Sequence, residues 1–239
     1  MSGHSKWSTI KRKKGAIDAE RGKVFAKLAK EIYVAAKGGE ADPANNASLR
    51  MVIEKAKSEN MPKSNIQSAI DKAKNKGSGD NYDAIRYEGY GPAGIAIMID
   101  CLTDNKNRTA SFVRSTLSKR GGNLGTAGSV SYMFNRRGVI VMDKSYDEDK
   151  LMEDVMEFDV LDFKAMDDCY VIETTPDTFL SVKDGLESLG YTEFINSSVT
   201  YVPDNYISLD EETTDKVMRL INDLEDLDDV QEVYHNMEL

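Results

Sequence analysis

The chain has 239 residues, 40% apolar and 30% charged, enough apolar material for one large domain or two to three small ones. No run approaches the roughly 18 apolar residues of a membrane span, and the first residues lack a signal peptide's apolar stretch, so a cytoplasmic protein, or the mature form of an organellar one, with no membrane partner is expected. The net charge of −10 hides a polarity: Lys/Arg outnumber Asp/Glu 17 to 8 in residues 1–76 and 8 to 5 in 77–137, but are outnumbered 6 to 28 in 138–239. This suggests a basic part that meets a polyanion and an acidic part kept off it or serving solubility.

The opening GHSKWSTIKRKKG has no helical or strand period and little to bury. Lys6, Lys11, Arg12, Lys13, Lys14, Arg21, Lys23, Lys27 and Lys30 put nine cations into 25 residues, opposed only by Asp18 and Glu20. Each phosphate a cation neutralises releases condensed counterion, which gives affinity without sequence choice. Trp7 supplies a ring on which an unpaired base stacks, worth about 1–3 kcal/mol per base. A basic flexible arm over 1–20 that orders on nucleic acid is expected, with a solvated tail and a buried Trp7 as the alternative.

Three helical stripes follow. Phe25, Leu28, Ala29, Ile32 and Ala36 mark the first, which is expected to stop at Gly38-Gly39 with a left-handed glycine cap. Asp42-Pro43 signals the next start, Asp as N-cap and Pro at the first helical position, with Leu49, Val52, Ile53 and Ala56 inward. The third begins near Pro62 and carries Ile66, Ala69, Ile70 and Ala73. Each is apolar on one side, which predicts a helical domain over 21–78 closed by the linker NKGSGDNYD. The connections are read as longer than the turn of about 3–4 residues in a helix-turn-helix unit, leaving no evident recognition helix for duplex DNA.

In GYGPAGIAIMIDCL, Gly89, Gly91 and Gly94 have the spacing of a dinucleotide fingerprint. That motif follows a strand and opens a helix, whereas these glycines precede an expected strand over 95–102, so no nucleotide cofactor is expected. A helix with Ala110, Val113 and Leu117 inward leads through the loop GGNLGTAGS to an expected strand over 130–134. The loop's glycines would let backbone N–H groups approach a phosphate, with Lys119 and Arg120 preceding; a plain connector is the alternative. Next come the strand GVIVM, a helix on Leu151, Met152, Val155 and Met156, and the paired strands VLDFKAM and CYVIETT. A helix on Phe179, Val182, Leu186 and Leu189 and the strand TEFINSSVTYV complete β-α-β-β-α-β, the ferredoxin-like order. A last helix on Val217, Leu220, Ile221, Leu224 and Leu227, with a strand over 230–235, needs a sheet to join. The expected fold is α/β (α+β): the helical domain, a discontinuous α/β domain over 79–135 plus 204–239, and an inserted ferredoxin-like domain over 136–203. A separate C-terminal appendage is the alternative.

Signals for catalysis are thin. His4 and His235 are the only histidines, so no pair stands at metal-ligand spacing. GAIDAERGKV lacks the first glycine and the hydroxyl residue of a phosphate loop. The acidic runs SYDEDK and DLEDLDD lack the pattern of a calcium loop and are read as acids at helix starts. Cys101 and Cys169 fall in strand-like runs as packed thiols. No enzyme activity, metal, cofactor or small-molecule substrate is expected.

The stretches SGHSKWSTIKRKKGAIDAERGKVFAKLAKEI, DPANNASLR, KAKSENMPKSNIQSAI, YEGYGPAGIAI, LTDNKNRT, GGNLGTAGSVSYMF and LEDLDDVQEVYHN together resemble the YebC/PmpR family from end to end. The resemblance implies a three-domain α/β protein without enzymatic activity. Members are described as cytoplasmic DNA-binding transcriptional regulators; mitochondrial relatives activate translation of cytochrome c oxidase, and some bacterial members resemble ribosome-associated factors that relieve stalling at proline runs. Carried over by position, it points to Lys6, Trp7, Lys11, Lys13, Lys14, Arg21 and Lys23 as nucleic-acid contacts, with Asn105, Asn107 and Arg108 as a second group. The family label favours DNA. The residues lean towards RNA and the ribosome, because RNA is read largely through shape and unpaired bases. Oligomeric state is left open.

Overall fold

The computed structural model describes residues 18–75 and 81–238. Within them the chain forms seven α-helices and two four-stranded antiparallel sheets, a mixed α/β architecture.

Three helices come first: α1 (Asp18–Lys37), α2 (Ala47–Ser58) and α3 (Lys63–Lys74). Leu28, Ile32 and Ala36 on α1, Leu49, Ile53 and Ala56 on α2, and Ile66, Ala69 and Ile70 on α3 close one apolar cluster, as their 3.6-residue period requires. α1 ends without the expected left-handed glycine. Gly38 donates its N–H to the Val34 carbonyl at 2.9 Å, continuing the helical bonds; the left-handed glycines among the described residues are Gly94, Gly121, Gly128 and Gly190.

α2 starts later than expected. Asp42 uses its side chain in a local turn, accepting the Ala44 N–H at 2.9 Å. The N-cap is Asn46, whose Oδ1 accepts the Leu49 N–H at 3.0 Å. Its amide also donates to the Ala35 and Glu40 carbonyls at 2.9 and 2.8 Å, tying the end of α1 to the start of α2. A Cβ on Gly39 would lie 2.8 Å from that amide nitrogen, so the close approach needs glycine. Asn46→Ala should cost about 2 kcal/mol, the upper end for a lost cap, measured as a lower thermal midpoint with unchanged helix content in the cold.

The α2–α3 connection is shorter than expected, only residues 59–62. Asn60 takes the left-handed conformation at φ 59°. Its N–H donates to the Lys57 carbonyl at 2.9 Å, and the Met61 N–H donates to the Ala56 carbonyl at 2.9 Å. This is the Schellman bond pattern, completed by Met61 packing into the same apolar cluster as Ala56. Pro62 then leads directly into α3.

The first sheet contains β1 (Asp83–Tyr90), β2 (Ala96–Thr103), β3 (Asn123–Leu124) and β8 (Val230–His235), in the order β3-β1-β2-β8. β2 realises the strand expected near 95–102, whereas β1 and β3 have no counterpart in the expected elements. The expected strand over 130–134 does not form. Val130 and Ser131 donate their N–H groups to the Glu88 carboxylate, residues Ser131–Met133 make a 3-10 turn, and Phe134 opens β4 (Phe134–Asp143) in the other sheet. α4 (Lys106–Lys119) and α7 (Glu211–Glu225) bury Val113, Leu117, Leu220 and Leu224 against Ile97 and Ile99. Thr109, not Ala110, is the first buried position of α4. β8 pairs with β2 (Ile97↔His235, Ile99↔Val233), so the chain's last helix and strand return to the sheet begun at Asp83.

β4, α5 (Glu148–Met156), β5 (Asp162–Ala165), β6 (Cys169–Thr174), α6 (Phe179–Ser188) and β7 (Phe194–Pro203) follow. Their strands lie β5-β6-β4-β7, with both helices packed on Ile140, Met142, Tyr170 and Ile172. Met152, Met156 and Leu189, expected inward, are 48%, 69% and 53% exposed; on the short α5 only Leu151 and Val155 are buried.

The helical trio docks through polar contacts and through Met51, which packs against the core of the second sheet. Lys55 of α2 lies 2.9 Å from Glu31 and 2.6 Å from Glu232 of β8. Glu54 lies 2.9 Å from Lys183 of α6.

Candidate nucleic-acid interface

Of the residues expected to touch nucleic acid, Lys6, Trp7, Lys11, Arg12, Lys13 and Lys14 lie outside the described residues. Arg21, Lys23 and Lys27 lie on α1, Asn105 is the residue before α4, and Asn107 and Arg108 are in its first turn.

Lys23, Lys27 and Lys30 share one face of α1 through their i, i+4, i+7 spacing. All three reach the turn after α7. Lys23 Nζ lies 2.9 Å from Asp226 Oδ1, and Lys27 Nζ donates to the Glu225 carbonyl. Lys30 Nζ donates to the Asp228 and Leu102 carbonyls at 3.1 and 3.4 Å and stands 3.7 Å from Asp229 Oδ1. Burial pulls the Lys27 ammonium below its usual range, opposed by the carboxylates of Glu225, Glu232, Asp226 and Asp228. Arg21 is exposed.

The second group arrives at the same turn. Asn105 is the N-cap of α4, its Oδ1 accepting the Arg108 N–H at 3.0 Å. Asn107 is exposed. Arg108 Nη2 lies 2.7 Å from Asp104 Oδ1 and 2.8 Å from Asp229 Oδ2. Asp229 Oδ2 also accepts the Thr109 hydroxyl at 2.8 Å. Burial alone would raise the Asp229 carboxyl, but Arg108, Thr109 and Lys30 hold it below its usual range. A cleft of about 430 Å³ opens between Arg108, Thr109 and Phe112 and residues 226–229.

The acidic run over 223–229 therefore lies at the C-terminal end of α7, not at a helix start as expected. Carboxylates there oppose the macrodipole, and cations from elsewhere offset them: Arg120 lies 2.6 Å from Asp223, and Lys23 and Lys30 reach Asp226 and Asp229. SYDEDK does open a helix, with Asp147 as N-cap of α5.

The glycine-rich loop already holds an anion. Gly128 donates its N–H to Glu88 Oε1, and Val130 and Ser131 donate theirs to Oε2, each at 2.8 Å. Gly125 donates to the Glu88 carbonyl at 2.7 Å. Glu88 is 6% exposed. Its burial would raise its carboxyl, but the three N–H groups hold it below the usual range. The backbone donors that could have cradled a phosphate are thus engaged. Neither Glu88 nor the acidic turn was among the candidate residues, and no local signal marks them, because each acquires its partners from distant segments.

Among the described residues no group of three or more His, Cys, Asp or Glu could hold a metal ion, and no helix is long and apolar enough to cross a membrane. Burial pushes the Cys101 thiol up to about 12, so it carries essentially no reactive thiolate at neutral pH.

Fold and surface define a mixed α/β protein whose most developed polar feature is a junction of helix cations and a carboxylate turn. The chain belongs to the TACO1/YebC family: the family's N-terminal domain matches residues 5–76, and its second and third domains match residues 82–237. It is 53% identical over 241 residues to a "probable transcriptional regulatory protein" of Geobacillus kaustophilus, covering 100% of this chain and 98% of that one. A protein of the same name from Finegoldia magna is 52% identical over 238 residues, covering 99% and 98%. The crystal structure of a conserved hypothetical protein from Aquifex aeolicus superposes with a TM-score of 0.81 at 43% identity, covering 93% of this chain and 92% of its own.

Proposed function

We propose that the chain is a non-enzymatic regulator of transcription that works by binding nucleic acid, its basic N-terminal segment gripping phosphates. The observation that carries this reading is the run of nine cations from Lys6 to Lys30, with only Asp18 and Glu20 among them in the sequence; in the fold Lys23, Lys27 and Lys30 meet the turn after α7, so the grip falls chiefly to Lys6, Lys11, Arg12, Lys13, Lys14 and Arg21. Its relatives' shared name, probable transcriptional regulatory protein, supports it. In this reading the arm expected over 1–20, whose last three residues already belong to α1, the helical trio (21–78) and the two α/β units (79–135 with 204–239, and 136–203) act as separate domains.

The pairing of Lys23 with Asp226 is compatible with that role. Both side chains are largely exposed, 58% and 70%, and exposed pairs are worth about 0–1 kcal/mol. A phosphate can replace the carboxylate at little cost. Neutralising Lys11, Arg12, Lys13 and Lys14 should weaken binding and, on duplex DNA, lower the slope of log affinity against log salt by up to about 3–4. Fluorescence anisotropy across a salt series measures this, and unchanged affinity and slope would refute the reading. Trp7 within the arm favours a second reading, RNA or ribosome binding. Sequencing the nucleic acid that co-purifies at physiological salt decides between them: ribosomal RNA for translation, discrete promoter DNA for transcription.

A further inference from the structure

We infer that α2, the turn over 59–62 and α3 form a helix-turn-helix unit that lays α3 in the major groove of duplex DNA, with Gln67 reading an adenine. The inference rests on the nucleic-acid reading above and specifies the ligand and the residues that read it.

The turn is the first support. Four residues separate the helices, the length such units use. Its left-handed Asn60 and paired Schellman bonds fix the direction in which α3 leaves α2. The packing is the second. α3 rests chiefly on α1, while α2 is anchored to the rest of the protein by Lys55 and Glu54. α3 is thereby held in place by its inner face, with its other side turned to solvent.

The residues on that exposed side suit the role. Lys63, Ser64, Asn65, Gln67 and Ser68 are all exposed and lie in the N-terminal half of α3, the part of a recognition helix that meets base edges. The Asn65 and Ile66 N–H groups already donate to the Pro62 carbonyl at 2.9 and 3.2 Å, but Pro62 makes no side-chain cap bond, which leaves the N–H groups of Lys63 and Ser64 to a backbone phosphate. Gln67 is pre-set: its Nε2 donates one proton to Asp71 Oδ1 at 2.8 Å. The remaining Nε2 proton and Oε1 then match adenine N7 and the N6 amino group, the bidentate pairing glutamine makes in the major groove. Lys63 flanks this face as a phosphate contact. The major groove of A-form RNA is too deep and narrow for side chains to read, so α3 selects DNA.

The test selects duplexes from a random DNA pool with the full-length chain at physiological salt. It then compares the wild type, Gln67→Ala and Lys63→Ala on the selected site and on a single-stranded RNA. An enriched motif is expected, with an adenine at which Gln67→Ala loses about ten- to a hundredfold of the wild type's discrimination. Lys63→Ala should weaken all duplexes alike and lower the salt slope by about 1. Neither substitution should change RNA affinity. Both side chains are exposed, and circular dichroism checks that the variants fold. Absence of an enriched motif, or a motif both variants bind like the wild type, overturns the inference. If the arm-neutralised chain loses binding while both α3 variants keep it, the nucleic-acid reading stands and this inference falls. A wild-type chain that binds no nucleic acid removes both.

Discussion

Glu88→Ala is expected to be among the most damaging single substitutions in the protein, costing on the order of 3–5 kcal/mol. The N–H groups of Gly128, Val130 and Ser131 would lose their acceptor together, at a site that shields Glu88 and Val130 from water. An unsatisfied buried donor costs about 1–3 kcal/mol; the Val130 N–H is buried, while Gly128 is exposed and Ser131 partly so, and the lost carboxylate charge adds to the loss. For a chain of this size the loss corresponds to a fall in thermal midpoint of roughly 10 °C, measurable by calorimetry. Glu88→Gln, which keeps one acceptor oxygen, should recover part of it. The pH dependence separates charge from shape. Because the folded protein holds Glu88 below its ordinary value of 4.5, the charged form contributes stability above that value, lost as pH falls through the lower folded value. The gap between wild type and Glu88→Gln should thus be full at neutral pH and shrink below about pH 4.5. A gap independent of pH would mean that the loop is held by its own conformation and not by the anion.

Glu88 also explains why some of the fold was legible in the sequence and some was not. The helices of the N-terminal trio could be read because Leu28, Ile32 and Ala36, or Ile66, Ala69 and Ile70, repeat on one face, and each partner surface is another stripe of the same kind. The ferredoxin-like order was legible for a similar reason. β1 was not, because its defining residue is a buried carboxylate whose partners lie on the glycine loop, and a Glu between Tyr87 and Gly89 carries no strand signal. The same contact turns Val130–Phe134 from an apparent alternating strand into a 3-10 turn and a change of sheet. Asn60 hid the short α2–α3 turn, since the cap rests on a left-handed Asn instead of glycine. The cations of α1 were visible as a row. Their carboxylate partners after α7 were not, because the pairing of Lys23 with Asp226 depends on how the helical trio docks.

That docking is the subject of the second large effect. Lys55→Met should cost about 1.5–3 kcal/mol, the range for hydrogen bonds to a charged group, because the side chains of Lys55, Glu31 and Glu232 are only partly buried. Lys55 Nζ lies 2.9 Å from both Glu31 oxygens and 2.6 Å from Glu232 Oε1. The methionine would fill the volume and remove the ammonium that Glu31 and Glu232 now share. In the native protein burial already raises the Glu31 carboxyl, Lys55 opposes that shift, and Glu232 adds to it; without Lys55 the rise must be larger. An acid whose folded value is raised binds its proton more readily folded than unfolded, so the variant's stability should fall as pH rises through the window above 4.5 and recover on acidification. The Lys55→Met, Glu31→Gln double variant removes the repulsion and should regain a large part of the loss at neutral pH, since a neutral replacement of a buried ion pair is often well tolerated. Thermal unfolding between pH 5 and 8 is the measurement. If Lys55→Met shows the same deficit across that range, and the double variant none of the rescue, the trio is held by Met51, which packs against the core of the second sheet, and not by the ion triad. Because α2 would be the fixed helix of the DNA-reading pair, an undocked trio should keep its affinity for a selected duplex while losing its orientation to the two sheets. Duplex binding by Lys55→Met would thus separate the proposed DNA contact of the trio from any role of its docking.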